Sequence, residues 1–184
     1  MNELSLHILD ICENSISANA SLIEITIEES TTQNTYTITI TDDGHGMNKK
    51  TLSQVSDPFF TTRTTRKVGL GISLFKLACE LTGGTFQIDS IEKEGTLIKA
   101  EFVRDHINRA PVGDIEETLT VLLMNDAGID IRYVHMIDHQ TYYFDSREVK
   151  QILNDVPITD YNVILWIKNN IKEGLLSIQK EETK

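Results

Sequence analysis

Two runs of strict alternation lie close together near the start of the chain: Ile23, Ile25 and Ile27, then Tyr36, Ile38 and Ile40 set against Thr37, Thr39 and Thr41. A side-chain period of two predicts two β-strands joined through Ser30 to Asn34, each with an apolar and a polar side. Ahead of them Leu4, Ile8, Ile11 and Cys12 recur at helical spacing. That spacing predicts a helix over residues 3–17, with an apolar stripe on one side and His7, Asp10, Asn14 and Ser17 on another.

The stretch from Asp42 to Gly71 differs in kind, because Gly44, Gly46, Pro58, Gly69 and Gly71 punctuate a Thr/Arg/Lys-rich segment. It reads as a long loop with a short helix near Lys50 to Val55, and loops of this length in compact domains are commonly functional. Leu70, Leu74, Leu77, Ala78 and Leu81 predict a helix that Gly83 and Gly84 stop, and residues 85–91 and 96–103 alternate as strands. Arg104 to Gly113 marks a boundary. Beyond it an α-β-β-α-α pattern is expected: a helix from Ile115, a strand over Ile129 to Ile137, a partner over Thr141 to Phe144, a helix begun by Asp145, and a last helix capped by Thr159. The predicted organisation is therefore residues 1–104, a linker at 105–112, and a C-terminal α/β appendage over 113–184.

Composition narrows the function classes. The chain has 184 residues, 40% of them hydrophobic, which argues against disorder of the whole chain. Its net charge of −11 argues against a non-specific grip on nucleic acid or anionic lipid, so no nucleic acid and no membrane partner is expected. Cys12 and Cys79 lie in apolar helical patterns without metal-ligand spacing, and no signal segment or membrane-length apolar run occurs; a cytoplasmic protein is expected. His106, His135 and His139 are more simply linker, strand and turn residues than metal ligands.

Three short stretches carry chemistry. Asp42-Asp43-Gly44-His45-Gly46 follows a strand directly; a carboxylate there can accept a hydrogen bond from an exocyclic amine, while the glycines permit close backbone approach to a flat ring. Val68-Gly69-Leu70-Gly71 opens a helix, whose free N–H groups and dipole favour phosphate, with Arg63, Arg66 and Lys67 just upstream. Asp10 and Asn14 are four apart on one helix, so a carboxylate and an amide project side by side and could orient a water and hold one position on Mg²⁺. An ordinary turn, a solvated basic patch and a polar helix face would explain each stretch taken singly. Neither a P-loop nor a dinucleotide fingerprint is present.

Taken in order, these stretches resemble the GHKL ATPase superfamily of gyrase B, MutL and histidine kinases. ILDICENSISANA resembles its asparagine box, TDDGHGM its first glycine box, DPFFTTR the phenylalanine-rich box of histidine kinases, and VGLGISLFKLACELTGG with EGTLIKAEF their later glycine boxes. The resemblance covers residues 1–104. It implies an α+β, two-layer Bergerat sandwich that binds ATP and Mg²⁺. It further implies that Asp42 reads the adenine amine, with Gly44, Gly46 and Thr96 near the base. Asn14 would hold the metal, Lys67, Gly69, Leu70 and Gly71 would meet phosphate, and a lid at 56–68 would carry Phe59, Phe60, Arg63 and Arg66.

Two departures from the family pattern matter. Asp10 stands where hydrolysing members carry Glu, so the candidate base is one methylene shorter, and Lys67 and Val68 occupy the first two positions of the usual GTGLG. The shorter base implies slow hydrolysis. Three readings follow: an ATP-dependent regulatory switch that hydrolyses slowly, a protein kinase acting on a separate protein, and a nucleotide sensor without turnover. Each calls for a protein partner that the sequence does not name.

Overall fold

The computed structural model describes residues 3–55, 70–124 and 128–180. In chain order its elements are α1 (Leu4–Ser17), β1 (Leu22–Ser30), β2 (Thr35–Asp42), α2 (Lys49–Gln54), α3 (Gly71–Glu80), β3 (Thr85–Ile91), β4 (Gly95–Val103), α4 (Ile115–Leu123), β5 (Asp130–Ile137), β6 (Gln140–Asp145), α5 (Ser146–Leu153) and α6 (Tyr161–Lys180). The strands form one six-stranded sheet in the order β3-β4-β2-β1-β5-β6. All neighbours are antiparallel except β1 and β5, which run parallel from Leu22 opposite Asp130 to Glu29 opposite Ile137.

The alternation in the sequence becomes the two faces of this sheet. Ile23, Ile25, Ile27, Tyr36, Ile38 and Ile40 are all at most 2% exposed and join one core with Leu4, Ile8, Ile11 and Cys12 of α1. Full burial of each such side chain is worth roughly 1.5–3 kcal/mol against leaving it in water. α3 packs on β3 and β4, α1 on β2, and α4 and α6 on β5, with α1 touching both α3 and α4 and α4 touching α6. The result is a two-layer α/β sandwich whose opposite sheet face carries residues such as Glu24, Thr26, Thr39 and Lys99.

Helix ends follow local chemistry. Asn19, at φ +56°, turns the chain out of α1, the left-handed conformation that asparagine tolerates better than most residues. Asp114 caps α4 by accepting from the Glu117 amide at 2.8 Å, and Asp145 caps α5 by accepting from Arg147 at 2.9 Å. The sequence reading places the cap of α6 on Thr159. The side chain that takes the role is Asp160, whose carboxylate accepts from the amides of Asn162 and Val163, a better acceptor for the positive end of the helix than a hydroxyl.

The segment beyond the linker, with its three helices and two strands, packs onto the rest of the sandwich. β5 adds to β1, and Ile115, Leu119, Ile131, Tyr133, Phe144, Ile167 and Ile171 belong to the same core as α1 and α3. Periodicity identifies the strands but not their partners, and nothing in the residues of β5 specifies that β1 is its neighbour. The linker is also engaged: the carbonyls of Pro111 and Val112 accept from the amides of Leu4 and Ser5 at 2.9 and 2.8 Å, so they cap α1, which Glu3 does not cap with its side chain. Among the described residues no helix is long and apolar enough to cross a membrane.

Candidate functional site

Asp42 ends β2 on the helix-facing side, the side of Ile38 and Ile40, because residues two apart share a face. Its carboxylate accepts from the Ser15 hydroxyl of α1 at 2.6 Å and from the Gly44 amide at 3.0 Å. An ionised carboxylate offers about four lone-pair directions, so these two bonds orient it and leave acceptor capacity over. Directly across the β2–β4 pair stands Thr96, whose hydroxyl is 3.0 Å from that of Ser90. Ser90 in turn donates to the Gly95 carbonyl and accepts from the Met47 amide, tying the loop after β2 to the β3–β4 turn.

The glycines have a reason inside the protein. A Cβ at Gly46, where φ is +61°, would lie 1.9 Å from the Ile91 carbonyl oxygen, and one at Gly95 would lie 1.9 Å from that of Asp42. Loop and turn therefore approach closer than any side chain allows. Asp43, adjacent to Asp42, faces the other way. Its carboxylate accepts from the Ser21 and Leu22 amides at 2.7 and 2.9 Å and from the Ser21 hydroxyl. Some burial pushes its pKa up, but these bonds outweigh it and hold the acid below its ordinary value.

Asp10 and Asn14 both lie half-buried on α1. A Cβ on Gly71 would come within 3.2 Å of the Asp10 Cβ and 3.4 Å of a carboxylate oxygen, so Asp10 sits against the first turn of α3. That helix begins after Leu70, which is 42% exposed and whose side chain gives the first-turn amides no acceptor. Amides at a helix start favour an anion. One turn earlier on α1, His7 is buried and stacked on Phe75 of α3 with ring centroids 5.3 Å apart; burial lowers its pKa to about 4. His7 is thus neutral at pH 7 and, through its stack on Phe75, helps hold α1 against α3.

Of the residues singled out from the sequence, the structure brings Asp42, Gly44, Gly46 and Thr96 together at one end of the sheet, and Asp10 and Gly71 together between α1 and α3, with Leu70 at the start of α3 and Asn14 one turn beyond Asp10 on α1. Phe59, Phe60, Arg63, Arg66, Lys67 and Gly69 lie outside the described residues. Sequence reasoning missed Ser15, Ser90 and the anchoring role of Asp43. Ser15 was the findable one: it continues the Leu4, Ile8, Ile11 stripe by four residues, and a hydroxyl in an otherwise apolar stripe signals a polar target on the element beneath. Among the described residues no group of three or more His, Cys, Asp or Glu side chains is placed to hold a metal alone. His135 is instead buried between the Tyr133 hydroxyl at 2.8 Å and the Glu29 carboxylate at 2.9 Å.

Comparison with known proteins agrees with this geometry. The profile of the histidine kinase-, DNA gyrase B- and HSP90-like ATPase family matches residues 2–106. The heme sensor protein HssS of Staphylococcus saprophyticus is 31% identical over 106 residues, which are 55% of this chain and 23% of that protein. Sporulation kinase A of Bacillus subtilis is 26% identical over 103 residues, 55% of this chain and 16% of that one. The chain thus spans less than a quarter of the length of these relatives. The crystal structure of the N-terminal domain of a DNA repair protein, 13% identical, covers 86% of this chain and 59% of its own with a TM-score of 0.57, a likeness of fold alone. With more than half of its length matched by the family profile, the chain belongs to the histidine kinase-, DNA gyrase B- and HSP90-like ATPase family.

Proposed function

We propose that the chain is an ATP-dependent regulatory switch that binds Mg·ATP between α1, α3 and the loop after β2 and hydrolyses it slowly. The observation that carries this reading is the Asp42 carboxylate, fixed by Ser15 and Gly44 with acceptor capacity remaining, at the end of a strand beside the Gly44–Gly46 loop. Thr96 and the Gly44–Gly46 loop would line the base. The start of α3, with Gly69, Leu70, Gly71 and Lys67, would hold the phosphates, and Phe59, Phe60, Arg63 and Arg66 would close over them. Asn14 is the side chain that would hold Mg²⁺, which would supply charge neutralisation at the phosphates. Asp10 would accept the proton of the attacking water. As a side chain shorter than Glu by about 1.5 Å it would hold that water less well, which accounts for slow turnover. Residues 113–184 would form the output part.

A second reading, transfer of the terminal phosphate to a separate protein, has its own support. Leu70, Leu77 and Leu81 are 42%, 50% and 56% exposed along one side of α3, an apolar surface beside the phosphate end of the site on which an acceptor helix could lie. Calorimetric titration with Mg·ATP tests binding; the absence of heat at millimolar nucleotide would overturn both readings. Phosphate release without a partner, against transfer of a γ-label to protein in cell extract, separates switch from kinase. Binding with neither would leave a nucleotide sensor.

A further inference from the structure

Asp42 and Asp43 are neighbours with opposite duties, and the duty of Asp43 leads away from the site. Its carboxylate holds the Ser21 amide and hydroxyl and the Leu22 amide. The Ser21 carbonyl accepts from the Asp130 amide at 2.8 Å, at the point where β5 begins its parallel pairing with β1. The Asp130 carboxylate accepts from the Ser146 hydroxyl at 3.0 Å and from the Lys150 ammonium at 2.7 Å, and the Ser146 hydroxyl also accepts from the Ile131 amide at 2.9 Å. Ser146 is fully buried and is the first residue of α5. An unbroken series of hydrogen bonds therefore runs from the loop after β2, through the start of β1, to the start of β5 and both turns of α5.

We infer that this series is the route by which occupation of the Asp42 loop is felt in the C-terminal segment, with Asp43 and Ser21 as positioning residues and α5 as the element whose local stability responds. The inference rests on the proposed nucleotide site. The physical basis is that Asp42 and Asp43 share a peptide bond: a ligand held by Asp42 further restrains the backbone that also carries Asp43, and every later link is a direct bond to backbone or to a side chain held against it. The coupling is reciprocal, so a change at α5 must alter nucleotide affinity by the same factor that nucleotide alters α5.

Amide hydrogen exchange on the full chain tests the route in two steps. Without nucleotide, Asp43→Ala should speed exchange of the Ser21, Leu22 and Asp130 amides by about tenfold, while Asp43→Asn, which keeps an acceptor, should restore most of the protection. Ser21→Ala, which removes only the hydroxyl, gives the same ordering with a smaller effect should Asp43→Ala not fold. With Mg·ATP, wild type should show slowed exchange at Asp130 and in residues 146–150, and Asp43→Ala should not. Lys150→Met, at the far end of the series, should weaken ATP by about threefold. An Asp130 amide indifferent to both Asp43 variants, or bound ATP that slows exchange only around the loop, would overturn the inference. Absence of ATP binding to wild type, read by calorimetry, would instead overturn the nucleotide site.

Discussion

Ser15 donates to Asp42 across 2.6 Å, joining the helix of the asparagine box to the strand of the first glycine box. Ser15 holds one carboxylate oxygen of Asp42 and the Gly44 amide the other, so the group is oriented while each oxygen keeps a lone-pair direction. On the proposed reading, Asp42→Asn substitutes a group that can present an NH₂ where the adenine amine would need an acceptor, and loses a charge-assisted bond of about 1.5–3 kcal/mol. Calorimetry should show ATP affinity lower by roughly ten- to a hundredfold. Ser15→Ala leaves the carboxylate in place but free to rotate, and a smaller loss of about two- to fivefold is expected. Unchanged affinity in Asp42→Asn would remove Asp42 from the site.

Asp10 abuts Gly71, where the hydrolytic water would lie. Asp10→Asn removes the carboxylate that lies against Gly71 at the start of α3, so phosphate release should fall by about 10²–10⁴ while ATP binding stays near wild type. Asp10→Glu lengthens the acid by one methylene. It should raise turnover by about ten- to a hundredfold if reach limits the present rate. Wild-type turnover in Asp10→Asn would assign the proton to another group.

His7 gives the fold a pH dependence with a readable sign. Its folded pKa is about 4 because burial disfavours the cation, against an ordinary value near 6.5. Between those values the unfolded chain holds the proton and the folded chain does not, so stability is complete above pH 6.5 and falls as pH drops toward 4. The carboxylates act lower. Burial opposes ionisation of Glu29, yet its bonds to His135 and Arg104 hold its pKa below the ordinary range, and the contacts of Asp145 with Arg147 do the same. Their contributions are lost only below about pH 4. Thermal unfolding from pH 7.5 to 4.5 should therefore show a decline in Tm that His7→Phe removes. A slope equal in both proteins would place the titration elsewhere.

The strands, α1, α3 and the boxes at their ends were legible because each is a local pattern: period two, a 3.6-residue stripe, or glycine at a turn. Asp42, Asp10 and Gly71 could be paired on paper only through a family resemblance, since their approach depends on α1 crossing above β2 and packing on α3. The adoption of β5 by β1 was not legible at all. Leu22 and Asp130 are separated by most of the chain, and strand alternation carries no address for a partner. Nor could the sequence show that Gly46 is required by the Ile91 carbonyl, a contact made by two segments meeting across a turn. Buried polar residues were the weakest point: Ser15 and His135 each break an apolar pattern, and each does so to meet a carboxylate on a neighbouring strand.

Gly174 lies in the middle of α6, where glycine costs about 1 kcal/mol relative to alanine, so something else must require it. The requirement is Tyr142 of β6. A Cβ at position 174 would fall 2.0 Å from Cε2 and 2.2 Å from Cδ2 of its ring, while the ring's hydroxyl donates to Asn170 at 3.0 Å, one helical turn away. Gly174→Ala forces the ring off the helix and breaks the Asn170 bond. Overpacking of this kind costs about 1–3 kcal/mol, which exceeds the helix-propensity gain. A Tm lower by roughly 2–6 °C is expected for a chain of this size. In a Tyr142→Ala background the clash is absent and only the propensity remains, so the same Gly174→Ala change should raise Tm. A change of Tm in the same direction in both backgrounds would show that the ring is not what keeps glycine at this position.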